Sequence, residues 1–97
     1  MSVLHTVLQE ELERSERMKA AMQSELDALP KGYTSRKTIR GRRVHYLQKR
    51  QGDKIVSRYI PAAQLQDIEG RIERRRQLRA AIREADENIK RLRRVLK

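Results

Sequence analysis

No cysteine occurs in the 97 residues, so neither disulfides nor thiolate metal sites are available, and nothing points to an oxidising compartment. Phenylalanine and tryptophan are also absent, which leaves three tyrosines as the only aromatic side chains. A core of leucine, isoleucine, valine and methionine buries less area per residue than one with large rings. Long helices or association between copies must then supply the difference. Only two prolines, Pro30 and Pro61, punctuate the chain. The opening run MSVLHTVLQEELERSER lacks an apolar stretch long enough for a signal peptide or a membrane span. These absences predict a soluble cytoplasmic protein with no membrane partner, forming a single domain over residues 1–97.

Acid is the other scarcity, and it is local. The formal net charge is +11, and residues 1–30 carry three basic side chains against six acidic ones. Residues 31–60 carry ten basic side chains against Asp53 alone, and residues 61–97 carry eleven against six. Such segregation points to a polyanionic partner more than to solubility.

Helix is expected at both ends. Leu4, Leu8, Leu12, Met22, Leu26 and Leu29 recur at helical spacing over residues 2–29, with Ser15 and Met18 or Lys19 between them. Ser2 suits the N-cap, and Pro30 with Gly32 predicts a stop near Ala28 or Leu29. Glu10, Glu11, Glu13 and Glu16 fit a solvated face or a partner for the basic last helix better than a metal cluster. Over residues 62–96, Leu65, Ile68, Ile72, Leu78, Ile82, Ala85, Ile89, Leu92 and Leu96 approach a coiled-coil seam that Arg75 interrupts. Gly70 within that helix predicts a close helix–sheet approach or a slight bend.

Between the helices lie three runs of strand chemistry, Tyr33–Ile39, Arg43–Arg50 and Ile55–Ile60. They are separated by Arg40-Gly41 and Gln51-Gly52-Asp53, which permit tight reversals. The expected class is therefore α+β: a long helix, a three-stranded antiparallel meander over residues 33–60, and a long C-terminal helix. The two helices should pack as a coiled-coil-like hairpin. Alternation sorts the meander into two faces. One gathers Tyr33, Ser35, Lys37, Ile39, Val44, Tyr46, Gln48, Ile55, Ser57 and Tyr59. The other gathers Arg36, Arg40, Arg43, His45, Leu47, Lys49, Lys54, Val56, Arg58 and Ile60. The tyrosine face has fewer charges and is expected to form the core, its rings closing beneath a helix more readily than stacking on unpaired bases. The cationic face is expected to meet the partner.

Six cations on one face would repel one another, and a polyanion would relieve that repulsion while releasing counterions. Nucleic acid, DNA or RNA, is the expected ligand. Arg36, Arg43, Lys49 and Arg58 on the strands and Arg40 and Lys54 at the turns would contact phosphates. Arg75 and Arg79 extend the surface if the arginines of the last helix face outward; the other reading pairs that run with Glu69, Glu73 and the first helix. His45 and His5 lie far apart in sequence with no cysteine to assist, which argues against a metal site. No nucleophile–base pair, phosphate loop or cofactor motif appears, so a non-enzyme without a cofactor is expected.

The segment LPKGYTSRKTIRGRRVHYLQKRQGDKIVSRYI, with the later ERRRQL, resembles a group of small prokaryotic proteins of uncharacterised activity. Members show an LPKG-like turn, a YYLQ-type strand, a glycine turn before an S-K-Y-I strand, and a long charged helix. Here these are Leu29–Tyr33, His45–Gln48, Gly52 and Ser57–Ile60. The resemblance implies a phage or mobile-element setting. The chain is more distantly similar to the arm-binding domains of phage integrases, whose three-stranded sheet reads a DNA groove while a helix backs it. Two further readings accompany nucleic-acid binding. One is an effector, like anti-CRISPR proteins, that disables a host nucleoprotein complex. The other is a coiled-coil assembly factor that dimerises through its last helix.

Overall fold

The computed structural model describes residues 2–97. Helix α1 spans Val3–Ala28, and strands β1, β2 and β3 span Tyr33–Ile39, Arg42–Gln51 and Lys54–Ile60. Helix α2 spans Ala62–Val95. The class is α+β, as the sequence predicts. Ser2 caps α1: its Oγ accepts the His5 amide at 3.1 Å, which satisfies one of the free donors of the first turn. After Ala28 the chain meets Pro30, which lacks an amide hydrogen, and Gly32, whose φ is +120°. A Cβ at Gly32 would collide with the Gln48 carbonyl, so only glycine lets the chain pass this close to β2 before β1 begins. Helix α2 starts directly after Pro61, whose carbonyl accepts the Gln64 amide at 2.9 Å.

The chain forms two compact units, one joining α1 to Arg76–Lys97 and the other comprising Leu29–Arg75. In the first, α1 and the later part of α2 pack as an antiparallel helical hairpin. Leu12 packs with Ile89 and Leu92, and Leu8 and Leu96 flank that cluster. One turn further along α1, buried Ser15 accepts a hydrogen bond from Asn88 Nδ2 at 3.3 Å, a polar step in an apolar seam. Beside the seam Arg93 pairs with Glu16 at 3.1 Å, and Lys19 pairs with Asp86. Leu26 and Leu78 are also buried. Two members of the expected stripe behave otherwise: Leu4 and Met18 are both more than half exposed. The seam runs instead through Leu8, Leu12 and Ser15.

In the second unit the strands form an antiparallel sheet in the order β1-β2-β3. Arg40 (φ +52°) and Gly41 (φ +77°) make the first reversal with two left-handed residues, the signature of a type I′ turn. Gly52 (φ +67°) makes the second, with a positive φ at its first central position, as in type II′. Neither turn introduces a bulge. The register runs unbroken from Tyr33↔Gln48 to Ile39↔Arg42, and from His45↔Ile60 to Gln51↔Lys54. The strand faces therefore sort as alternation predicts.

Their roles are reversed. The buried cluster of this unit is Leu47, Ile60 and Ile68, with Leu65 and Ile72 packed against it. The first part of α2 thus covers the face that carries Arg36, Arg43, Lys49 and Arg58, and the tyrosine face lies open. Tyr33 is 53 % exposed and Tyr59 56 %, whereas Ile60 is 2 % exposed. The cause lies in the connection. Ile60 ends β3 with only Pro61 between it and α2, so the helix turns back over the face to which Ile60 points. The aliphatic row Leu65, Ile68 and Ile72, spaced for one side of a helix, then meets Leu47 and Ile60. Gly70 marks no close approach: a Cβ there would meet nothing within 4 Å.

Candidate nucleic-acid interface

The cations assigned to the interface divide between the sheet unit and, for Arg79, the helical hairpin. Arg36, Arg43, Lys49 and Arg58 belong to the covered face, where they surround the Leu47–Ile60 centre and remain exposed. Lys49 and Arg58 come together. With Lys31, Gln51, Pro30, Val56 and Leu47 they line a cleft of about 360 Å³, three cations around an apolar floor. Arg36 lies apart from them, in a shallow depression shared with Thr34, Ser35, His45 and Glu69. Arg40 sits in the first turn, and Lys54 opens β3 after the second. Arg75 is half-buried and has a partner, so it is no free phosphate contact. Arg79 is exposed on the α2 segment that belongs to the helical hairpin.

Register decides how these charges tolerate one another. No lysine or arginine of the sheet stands directly opposite another. Arg36 faces His45, Lys37 faces Val44, Arg42 faces Ile39, and Arg43 faces Thr38. Lys49 faces Val56, Arg50 faces Ile55, Arg58 faces Leu47, and Lys54 faces Gln51. Direct cross-strand repulsion, expected from the sequence, is thus avoided by interleaving. The field that remains is positive all the same. Among the described residues no salt bridge reaches a lysine or arginine of the sheet.

The open face adds cations that sequence reasoning did not place at the interface. Lys37 had been assigned to the core side, and Arg42 and Arg50 lay at or beyond the expected ends of the second strand. All three are exposed on the tyrosine face. The signal for Arg42 and Arg50 was present, because both are in phase with Val44, Tyr46 and Gln48. Extending the strand by one residue at its start finds Arg42, and continuing the alternation to its last residue finds Arg50. Along β2 the open face reads Arg42, Val44, Tyr46, Gln48, Arg50, with cations at both ends and a ring in the middle. Tyr46 and Tyr59 meet edge to face, centroids 6.1 Å apart at 71°. Lys37 Nζ lies 5.3 Å from the Tyr46 ring centroid, within reach of a cation–π contact. Gln48 Nε2 donates to Ser57 Oγ at 3.2 Å across the row that holds Tyr33. Among the described residues there is no group of three or more His, Asp or Glu arranged to hold a metal ion.

A family model matches residues 4–70, which takes in α1 from its second residue, the whole sheet and the start of α2. The chain belongs to that family, Domain of unknown function (DUF6788). No curated protein and no solved structure matches the chain. The family match contains both faces of the sheet and the Lys31–Lys49–Arg58 cleft, and ends before Arg75 and Arg79. Among the described residues no helix is long and apolar enough to cross a membrane.

Proposed function

We propose that this protein is a non-enzymatic, cytoplasmic nucleic-acid-binding protein whose three-stranded sheet grips the phosphate backbone. The observation that carries the reading is the unpaired positive charge of the sheet. Its lysines and arginines form no salt bridge among the described residues, and Asp53 is the sole carboxylate between Lys31 and Ile60. A polyanion laid on such a surface gains Coulomb attraction and releases condensed counterions. Lys49 and Arg58, joined by Lys31 in one cleft, form the densest cluster and are the first candidates for phosphate contacts.

Fluorescence anisotropy with labelled DNA and RNA over a salt series tests this directly. Affinity should fall steeply with salt, and neutralising one true contact, as in Lys49→Gln or Arg58→Gln, should reduce the log–log slope by about 0.7 to 0.9. Failure to bind any probe at low salt would sink the reading.

A second reading, self-association, rests on the helical hairpin. Exposed Met18 lines a groove of about 410 Å³ together with Met22, Ala81 and Ala85 and the charged Arg14, Glu84 and Arg91. Small residues and opposite charges along one groove suit a second copy of the same hairpin. Light scattering that gives a strict monomer at every concentration removes it.

A further inference from the structure

We propose that the open tyrosine face binds single-stranded nucleic acid by stacking unpaired bases on Tyr33 and Tyr59, between phosphate contacts to Lys37, Arg42 and Arg50. This rests on the nucleic-acid reading and adds a second surface, on the face opposite the Lys31–Lys49–Arg58 cleft, together with the form of nucleic acid that it takes.

The face is uncovered, aromatic and of one charge sign. Tyr33 and Tyr59 are more than half exposed, and Ile39 and Ile55, at opposite ends of the same face, are exposed as well. Acidic side chains are absent from it, while Arg42 stands at one end, Arg50 at the other, and Lys37 near the middle. That combination of rings inside a cationic border is complementary to bases on a phosphate backbone, since a base offers a π-face and its phosphate a charge.

The spacing of the rings selects the strand form. Tyr59 lies on β3 opposite Tyr46, and Tyr33 lies on β1 one same-face step further along. Two inter-strand spacings and one two-residue step separate them by roughly 12 Å. Duplex bases lie about 3.4 Å apart along a strand and turn their faces to each other, so a duplex cannot present bases to two rings so far apart. An unpaired strand can, because its bases splay onto separate platforms. Tyr46 has a different part. Edge-on contact with Tyr59 and the ammonium of Lys37 over its ring hold it in place, and it braces Tyr59 upright.

The absence of tryptophan makes the test clean, because the protein's intrinsic fluorescence comes from Tyr33, Tyr46 and Tyr59 alone. The full chain is titrated with an oligothymidine and a mixed-sequence single strand, and with the corresponding duplex, at low and moderate salt. Tyrosine emission and the anisotropy of an end label are followed together. Single strands should quench the tyrosines and bind at least tenfold more tightly than duplex. Tyr33→Leu and Tyr59→Leu should each weaken single-strand binding about tenfold and leave duplex affinity and salt slope unchanged. Tyr59→Phe, which keeps the ring, should restore binding. Circular dichroism confirms that these exposed positions leave the fold intact, and quenching of the unmodified protein provides a readout independent of any variant. Equal affinity for single strand and duplex, or binding without quenching, overturns the inference and leaves the nucleic-acid reading standing. Binding to none of the probes overturns both.

Discussion

In the hairpin of α1 with Arg76–Lys97, charge is answered by charge: Glu16 meets Arg93, Lys19 meets Asp86, and Glu11 meets Arg14. In the sheet of the second unit, cations are spaced apart by register and set opposite residues other than lysine or arginine, and among the described residues none of them forms a salt bridge. Both solutions avoid like-charge contact, by different means. The hairpin removes its field within the molecule. The sheet keeps its field and projects it outward. An internally paired surface has little left for a partner, whereas an interleaved, unpaired one attracts counterions or a polyanion. On the proposed reading, the contrast assigns partner binding to the sheet and leaves the hairpin to structure and, on the second reading, to assembly.

The largest test of this division concerns the two sheet faces. Ile60→Ala should destabilise the protein by about 3 kcal/mol, because it leaves a cavity against Ile68. Tyr59→Ala, on the open face, should cost about 1 kcal/mol or less. Urea denaturation followed by circular dichroism compares them, and equal losses would mean that the tyrosine face is a core after all. Next, Gly32→Ala should cost roughly 2 kcal/mol, since it forces a Cβ onto the Gln48 carbonyl at a φ that side chains rarely adopt. Gly70→Ala should act oppositely and add about 1 kcal/mol, because α2 has open space there and alanine favours helix. The smallest effects bear on charge itself. Glu16→Gln should lose about 0.5 kcal/mol at low salt, and screening should erase that loss in 1 M salt. Arg42→Gln and Lys49→Gln should lose nothing and gain slightly at low salt, since each relieves an unpaired field. If Lys49→Gln destabilised as much as Glu16→Gln, the comparison between the units would fail.

Much of this was legible in the residues. Ser2, Pro30 and Pro61 mark the helix boundaries through capping and the missing proline amide. Arg40-Gly41 and Gly52-Asp53 mark the reversals, because glycine permits the positive φ that hairpin turns require. Alternation then sorts the strand residues it places to their observed sides, while Arg40, expected on the cationic face, lies in the turn. The seam of the hairpin was less legible. Leu4 has the spacing of a core residue and is exposed, while Ser15 has the chemistry of a surface residue and is buried with Asn88. Periodicity records where a side chain points along its own helix, not how far the opposing helix reaches or what it offers in return.

Whether the tyrosine face or the cationic face lay against the helix was beyond local pattern altogether. A count of charges favours burying the tyrosines, and by that measure alone the inference is sound. The sequence by itself determined the order of elements, the turn types, the register and the membership of each face, because all of these follow from backbone preferences a few residues long. Only the tertiary structure decided which face α2 covers. That choice turns on the path of the chain through Ile60 and Pro61 and on the fit of Leu65, Ile68 and Ile72 against Leu47. Two long aliphatic side chains at the centre of a cationic face outweighed its charged margin, since the charges could stay at the rim in water. The same choice left three tyrosines on the open side of the sheet.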